Sequence, residues 1–354
     1  YCVVVFARNH AWAGSLYTYV AKGLGPTGDY LAGVTLVIGC WGIAAGSLGG
    51  AVSYFNQFLV LLGVPAGGAG WYIGLAIVLG GLATLFTIRG IRLSARVSLV
   101  LELVSVTIIT ILLIAALVWA GPSAWDPAQV IAQGSSFQGV AAGMVLAIMW
   151  SAVVVGVLYV FAAYTQIAVL HEHLATSASP LEDIAKLIGM PSWFAPILTF
   201  GVGASFFAVV VAPLNVVGRV MYVMGKEGVL PERFGRTHER HLTPHRVLLV
   251  AGPAAILLDV ILLAVGSNPM DITVWVDTYG TYGYMVAYAL VAIACIVYTR
   301  RAGIPNRLVW VCAVVAVAAM AYVFFANVWP VPAFPLNVIP YLFLLTLVGA
   351  VAWF

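Results

Sequence analysis

The sequence predicts an all-α fold: a polytopic bundle of membrane-spanning helices. Three observations predict it. Of 354 residues, 63% are hydrophobic and only 8% are charged, against about 25% charged in an average soluble domain. The mean hydropathy is +1.08. The apolar stretches are continuous and reach the about 20 residues that a helix needs to cross a bilayer, whereas barrel strands would alternate apolar with polar residues. With 15 basic and 12 acidic side chains, the chain cannot coat a soluble protein of this size. That excludes a cytosolic enzyme, a nucleic-acid-binding domain and a disordered tail.

In order, the apolar blocks fall at 31–62, 70–88, 97–120, 139–168, 194–218, 247–266, 272–298, 308–328 and 335–354. The chain starts at Tyr1 and runs directly into Val-Val-Val-Phe, so residues 1–7 read as the tail of an earlier span, with no signal peptide. The polar connectors are 8–29, 89–96, 121–138, 171–193, 219–246 and 299–307. None is large enough to fold alone, so 1–354 reads as one membrane domain. Runs such as Gly46-Ser47-Leu48-Gly49-Gly50 and Gly80-Gly81 supply the small residues that let membrane helices approach closely. Cys2, Cys40, Cys295 and Cys312 stand apart inside apolar stretches and read as buried small side chains.

Charge placement orients the chain. Connector 89–96 carries Arg89, Arg92 and Arg96; 219–246 carries Arg219, Lys226, Arg233, Arg236, Arg240 and Arg246; 299–307 carries Arg300, Arg301 and Arg307. Connectors 121–138 and 171–193 hold Asp126, Glu172, Glu182 and Asp183 with one Lys186. The three basic connectors are therefore expected on the cytoplasmic side of the cell membrane. The parity conflicts: three blocks separate 89–96 from 219–246, which would put them on opposite faces. Either one block between Arg96 and Arg219 crosses twice or not at all, or one span is missing.

The sharpest motif runs from Gly218-Arg219 through Tyr222, Gly225-Lys226-Glu227-Gly228, Leu230-Pro231 and Phe234 to Thr243-Pro244. It resembles the cytoplasmic connector after the eighth helix of amino-acid permeases of the amino acid–polyamine–organocation superfamily. Ala13-Gly14-Ser15-Leu16-Tyr17, with Gly25 following, resembles the end of the family's second helix, with Ala11 where a Pro is common. Ser94-Ala95-Arg96-Val97 leading to Glu102 resembles the start of its fifth helix. Ser179-Pro180-Leu181-Glu182-Asp183-Ile184-Ala185 resembles the external segment before its eighth, and Phe334-Pro335-Leu336-Asn337 through Pro340-Tyr341 the approach to its twelfth.

The resemblance implies a LeuT-type inverted repeat, here incomplete. The family's first helix would lie upstream of Tyr1. Gly139–Ile148 looks like the first part of its sixth helix and Ser151–Tyr164 like its seventh, with the family's Gly-Phe-Glu stretch missing between them. In such a fold substrate binds near the midplane at the breaks of the first and sixth helices. The side wall that remains would be Gly39, Cys40, Ala44 and Ser47, small residues that leave room for a substrate side chain or else serve tight packing. Pro213 falls where a related exchanger has a substrate-facing Trp, and it frees a carbonyl in mid-membrane.

Glu102, about a turn inside its span, is a coupling candidate or the ion-pair partner of a residue such as Arg96. Ser105 stands where some proton-coupled relatives have a Lys. Asp259 in the 247–266 block and Asp277 near Tyr279 and Tyr282 are further intramembrane candidates; Asp277 sits near a span end and reads more simply as an interfacial carboxylate. His238, His241 and His245, and the triplet His171-Glu172-His173, lack metal-site spacing and read as solvated loop residues; no cofactor is called for. Trp119, Trp193 and Trp329 read as interface anchors. The implied function is secondary transport of an amino acid or related amine across the bilayer, with protons or exchanged substrate as the driving partner and no nucleic acid. A non-transporting remnant or scaffold is the alternative. A membrane enzyme would need a convergent polar cluster that the sequence does not show.

Overall fold

The computed structural model describes residues 2, 6, 16–65, 67–121, 149–170, 173, 180–239, 241–303 and 307–353, with backbone alone for 149–155. Expectations placed on Ala13–Ser15, Asp126, 139–148, His171, Glu172, Ser179 and Arg240 lie outside the described residues. The helices are α1 (Leu16–Leu61), α2 (Ala69–Arg89), α3 (Ile91–Ala120), α4 (Met149–Leu170), the short α5 (Pro180–Leu187), α6 (Phe194–Lys226), α7 (His245–Ala264), α8 (Pro269–Arg301), α9 (Arg307–Val328) and α10 (Ile339–Trp353). Among the described residues, α1, α2, α3, α6, α7, α8 and α9 are each long and apolar enough to cross a membrane, seven in all. The chain is a multi-pass membrane protein.

Helix runs deeper into the polar connectors than the hydropathy pattern predicts. The connector expected over 8–29 is helical from Leu16. One helix ends at Gly25 (φ 76°, ψ −168°) and the next begins with Pro26, a residue suited to a first helical position because it lacks an N–H. Connector 89–96 shrinks to Gly90, whose φ of 143° ends α2 and lets α3 start at once. Glu102 is consequently eleven residues into α3, about 16 Å from its start, not one turn in. Asn268 caps α8, its Oδ1 accepting from the Met270 N–H at 3.0 Å, with Pro269 following.

The core forms where α1 meets α8 and α6. Gly39, Gly42, Gly46 and Gly49 lie three or four residues apart and share one face of α1. They meet Tyr284, Gly280, Asp277 and Pro269 of the antiparallel α8. A Cβ on Gly42 would stand 2.7 Å from the Gly280 Cα, so the two backbones touch. Gly50 and Gly203 admit Phe206 and Phe55 between α1 and α6. Gly80 packs on Ile256 of α7, whereas Gly81 has nothing within 4 Å of its Cβ position.

Contacts at the two ends fix the direction of each helix. At one end the Thr243 hydroxyl donates to the Ile88 carbonyl at 2.7 Å, the Tyr17 hydroxyl donates to the Glu227 carboxylate, and Val20 of α1 shares a cluster with Cys295 of α8. All three basic connectors gather there, and this is the cytoplasmic end. At the other end Tyr54, Leu112, Ala116, Leu170, Ile184 and Leu198 form one buried cluster. The α4 helix therefore finishes where α3 finishes and runs the same way. The segment on which the parity conflict turns, 122–148, lies outside the described residues.

Replacing Gly42 or Gly280 with Leu is expected to cost about 1–3 kcal/mol, the usual range for overpacking, seen as earlier thermal unfolding in detergent. Gly81→Leu is expected to leave the unfolding temperature unchanged.

Candidate functional site

The structure brings the four small residues of α1 onto one buried stripe. Cys40 is 1% exposed, Ala44 0% and Ser47 2%, and Gly39 lies against Tyr284. The Cys40 thiol is 3.0 Å from the Tyr284 hydroxyl. Tyr284 in turn stacks on Tyr288 at 6.0 Å. Cys40 and Ala44 belong to the same cluster as Phe207, Val211 and Leu214 of α6 and Val276 of α8. Pro213 is half-buried within α6, beside Leu214 of that cluster. Sequence reasoning missed Tyr284; the crowding of Tyr279, Tyr282, Tyr284 and Tyr288 in one span was the available signal.

A second set of polar groups joins α3 to α6. The Asn215 amide donates to the Ser94 hydroxyl at 3.0 Å and to the Val211 carbonyl at 3.0 Å. The Ser98 hydroxyl donates to the Ala208 carbonyl at 3.5 Å. The Ser205 hydroxyl donates to Glu102 Oε2 at 2.8 Å. Ser105 is fully buried beside Gly201, and its hydroxyl has no hydrogen-bond partner. Residues 94, 98, 102 and 105 fall on one face of α3 by helical spacing, so these contacts form a polar seam running into the membrane. Glu102 thus pairs with a hydroxyl of α6 and not with Arg96, which is exposed. Ser98, Ser205 and Asn215 were not legible as partners, because each looks like an ordinary small polar residue in an apolar run.

The inner end of the seam opens into a cavity of about 720 Å³, lined by Asn215, Arg219, Arg89, Arg92, Tyr222 and His241 among others. Nearby, His238 packs against His241 and His245 with ring centroids 4.8 and 5.1 Å apart. The His241 N–H donates to His238 Nδ1 at 3.3 Å, which orders the loop. At the outer end Glu182, 5% exposed, accepts from Gln57 Nε2 at 2.6 Å and from the Thr199 hydroxyl. This ties α1, α5 and α6 together. Trp119, Trp193 and Trp329 are 54%, 63% and 64% exposed at helix ends, as interface anchors are.

Comparison with known proteins identifies relatives of the chain as a whole. A family model described as amino acid permease matches residues 143–353. The branched-chain amino acid permease BcaP of Bacillus subtilis (strain 168) is 23% identical over 335 residues, covering 84% of this chain and 69% of that protein. The methylthioribose transporter of the same organism is 24% identical over 288 residues, covering 72% of this chain and 62% of that protein.

Two of the resembling motifs prove to be contacts: Tyr17 with Glu227, and Thr243 with Ile88. The helix ends at Arg89, so the Ile88 carbonyl has no helical partner. Thr243→Val removes its donor and is expected to cost about 1–3 kcal/mol, the penalty of an unpaired buried group. Thermal unfolding of the detergent-solubilised variant reads this directly; Thr243→Ser is expected to retain the wild-type value.

Proposed function

The chain belongs to the amino acid permease family, and from that premise we propose that it carries amino acids or related amines across the plasma membrane as a secondary transporter. The observation that supports this reading most is the polar seam from the basic inner cavity to Glu102 and Ser105. An unpartnered buried hydroxyl costs a lipid-embedded bundle stability, and a carboxylate is a costlier tie between two helices than a neutral hydrogen-bonding group. A pathway for a zwitterion and its coupling ion needs such groups. In this reading Glu102 is the coupling group, neutralised in transit by a cation or by the substrate's amine. Ser105 offers its hydroxyl in the same step.

Gly39, Cys40, Ala44 and Ser47 form the wall that sets the volume for the substrate side chain, and Tyr284 closes it from α8. Pro213 contributes through the Val209 carbonyl, which its missing N–H leaves without a helical donor. Small wall residues favour aliphatic side chains over large aromatic ones. The named activities of the two relatives differ in chemistry, so the substrate is a matter for direct assay.

Proteoliposomes loaded with the purified protein provide the test. Saturable uptake of labelled leucine or valine, competed by unlabelled substrate, is the expected result. Ala44→Trp is expected to abolish it by filling the wall, and Glu102→Gln to lower it at least about tenfold, as removal of one transition-state interaction of about 1.4 kcal/mol would. Absence of uptake for all amino acids, amines and methylthioribose would overturn the proposal.

A further inference from the structure

Three carboxylates outside the seam, Asp29, Asp259 and Asp277, hold a buried oxygen without a hydrogen-bond partner; Asp29 stands at the inner end, and the other two lie deep in the bundle. On α7 the buried stripe Val247, Ala251, Ala255, Asp259 and Leu263 recurs every four residues, which places Asp259 at a core position. It is 0% exposed, and both of its carboxylate oxygens lack hydrogen-bond partners. On α8 Asp277 points its Oδ1, also without a partner, at the α-carbon of Gly46 in the α1–α8 crossing. Their helices pack on each other, and both pack on α1. Both lie in the outer half of the bundle: Asp259 is five residues before the end of α7 at Ala264, and Asp277 eight after the start of α8 at Pro269.

Among the described residues no basic group serves them. On the other helices packed here, Lys22 and Asp29 of α1, Arg89 of α2, Arg219 and Lys226 of α6 and Arg307 of α9 all stand near the inner end, and α10 has no acid or base. The Tyr279 hydroxyl is engaged with Thr346 at 3.0 Å and that of Tyr284 with Cys40. An ionised carboxylate with no partner in this medium is costly. A metal ion would need further oxygen, nitrogen or sulfur ligands, and among the described residues no group of three or more His, Cys, Asp or Glu could hold one. A proton needs none.

We propose that Asp259 and Asp277 form a proton-binding site whose occupancy holds α7 and α8 against α1. When protonated, the pair is neutral and Asp277 rests on Gly46. Loss of the protons leaves Asp277 charged against the backbone of Gly46 and Asp259 charged in the core, an uncompensated burial that loosens the packing of α8 and α7 on α1. The site thereby links proton release to a change in helix packing. This binding does not depend on the transport reading; its use as a driving ion in transport does.

Infrared difference spectroscopy of the purified protein in lipid nanodiscs tests the binding. The C=O stretch of a protonated carboxyl is expected at neutral pH and indifferent to sodium. It should be reduced in Asp259→Asn and in Asp277→Asn, and absent from the double variant. Asn mimics the neutral acid, so these variants are expected to elute and unfold like wild type. Asp259→Glu and Asp277→Glu, which keep a carboxyl and move it, are expected to shift the band; this gives a second reading should an Asn variant misfold. Overturning results are no protonated carboxyl at neutral pH, a band that survives the double variant, or a band that sodium removes. In proteoliposomes with uptake, a pH gradient should stimulate wild type and not the Asn variants. If uptake is absent the infrared result still decides the site, and if uptake is present with no infrared signal only the site falls.

Discussion

The contact between α1 and α8 through bare backbone is the constraint on which the remaining packing depends. Inside a bilayer, lipid tails solvate apolar side chains as well as a neighbouring helix does, so association has to come from close van der Waals approach and from polar groups. Gly39, Gly42, Gly46 and Gly49 give α1 a groove, and Gly280 and Gly283 let α8 lie in it. With that crossing set, the adjoining face of α1 is turned to α6, where Gly50 receives Phe206 and Gly33 receives Tyr17 and Met224. The remaining helices build outward from this pair. Their lipid-facing surfaces stay apolar, as at Val118, Val265 and Leu345, which are 77%, 81% and 69% exposed.

Polar contacts finish what the glycines begin. Glu182 and Glu102 are satisfied by hydroxyl and amide donors, and no second charge has to be desolvated to hold them. The same economy appears at the cytoplasmic end, where a tyrosine and a threonine bind loop to helix. Cations are left at the surface: Arg300 lies over the Trp310 ring at 4.2 Å and Lys226 over Tyr222 at 5.4 Å.

Composition and the length of the apolar runs were enough to read the all-α membrane fold, because the bilayer imposes both. The glycine runs marked the close approaches, yet could not say which glycine was used: Gly80 packs and Gly81 does not. Helix ends were misplaced wherever a charged residue sits on a helix that leaves the membrane, as with Arg92 and Lys226. Hydropathy shows where spans are and not which way they run; for α3 and α4 the cluster that Ala116 and Leu170 share supplies the direction. The Glu102 pairing was illegible for a related reason. Arg96 is close in sequence, but Ser205 is close in space, and only the α3–α6 register reveals it.

The α1–α8 crossing also governs how the protein is made. Gly42 and Gly280 are 238 residues apart (280 − 42). At roughly 5–20 residues per second, α8 leaves the ribosome about 10–50 s after α1. Throughout that interval the glycine groove of α1 lacks the backbone of α8. The centre of the molecule is therefore assembled late, by a helix from the far end of the chain docking into a groove already waiting in the bilayer. The folding of this permease is gated by translation of its C-terminal half.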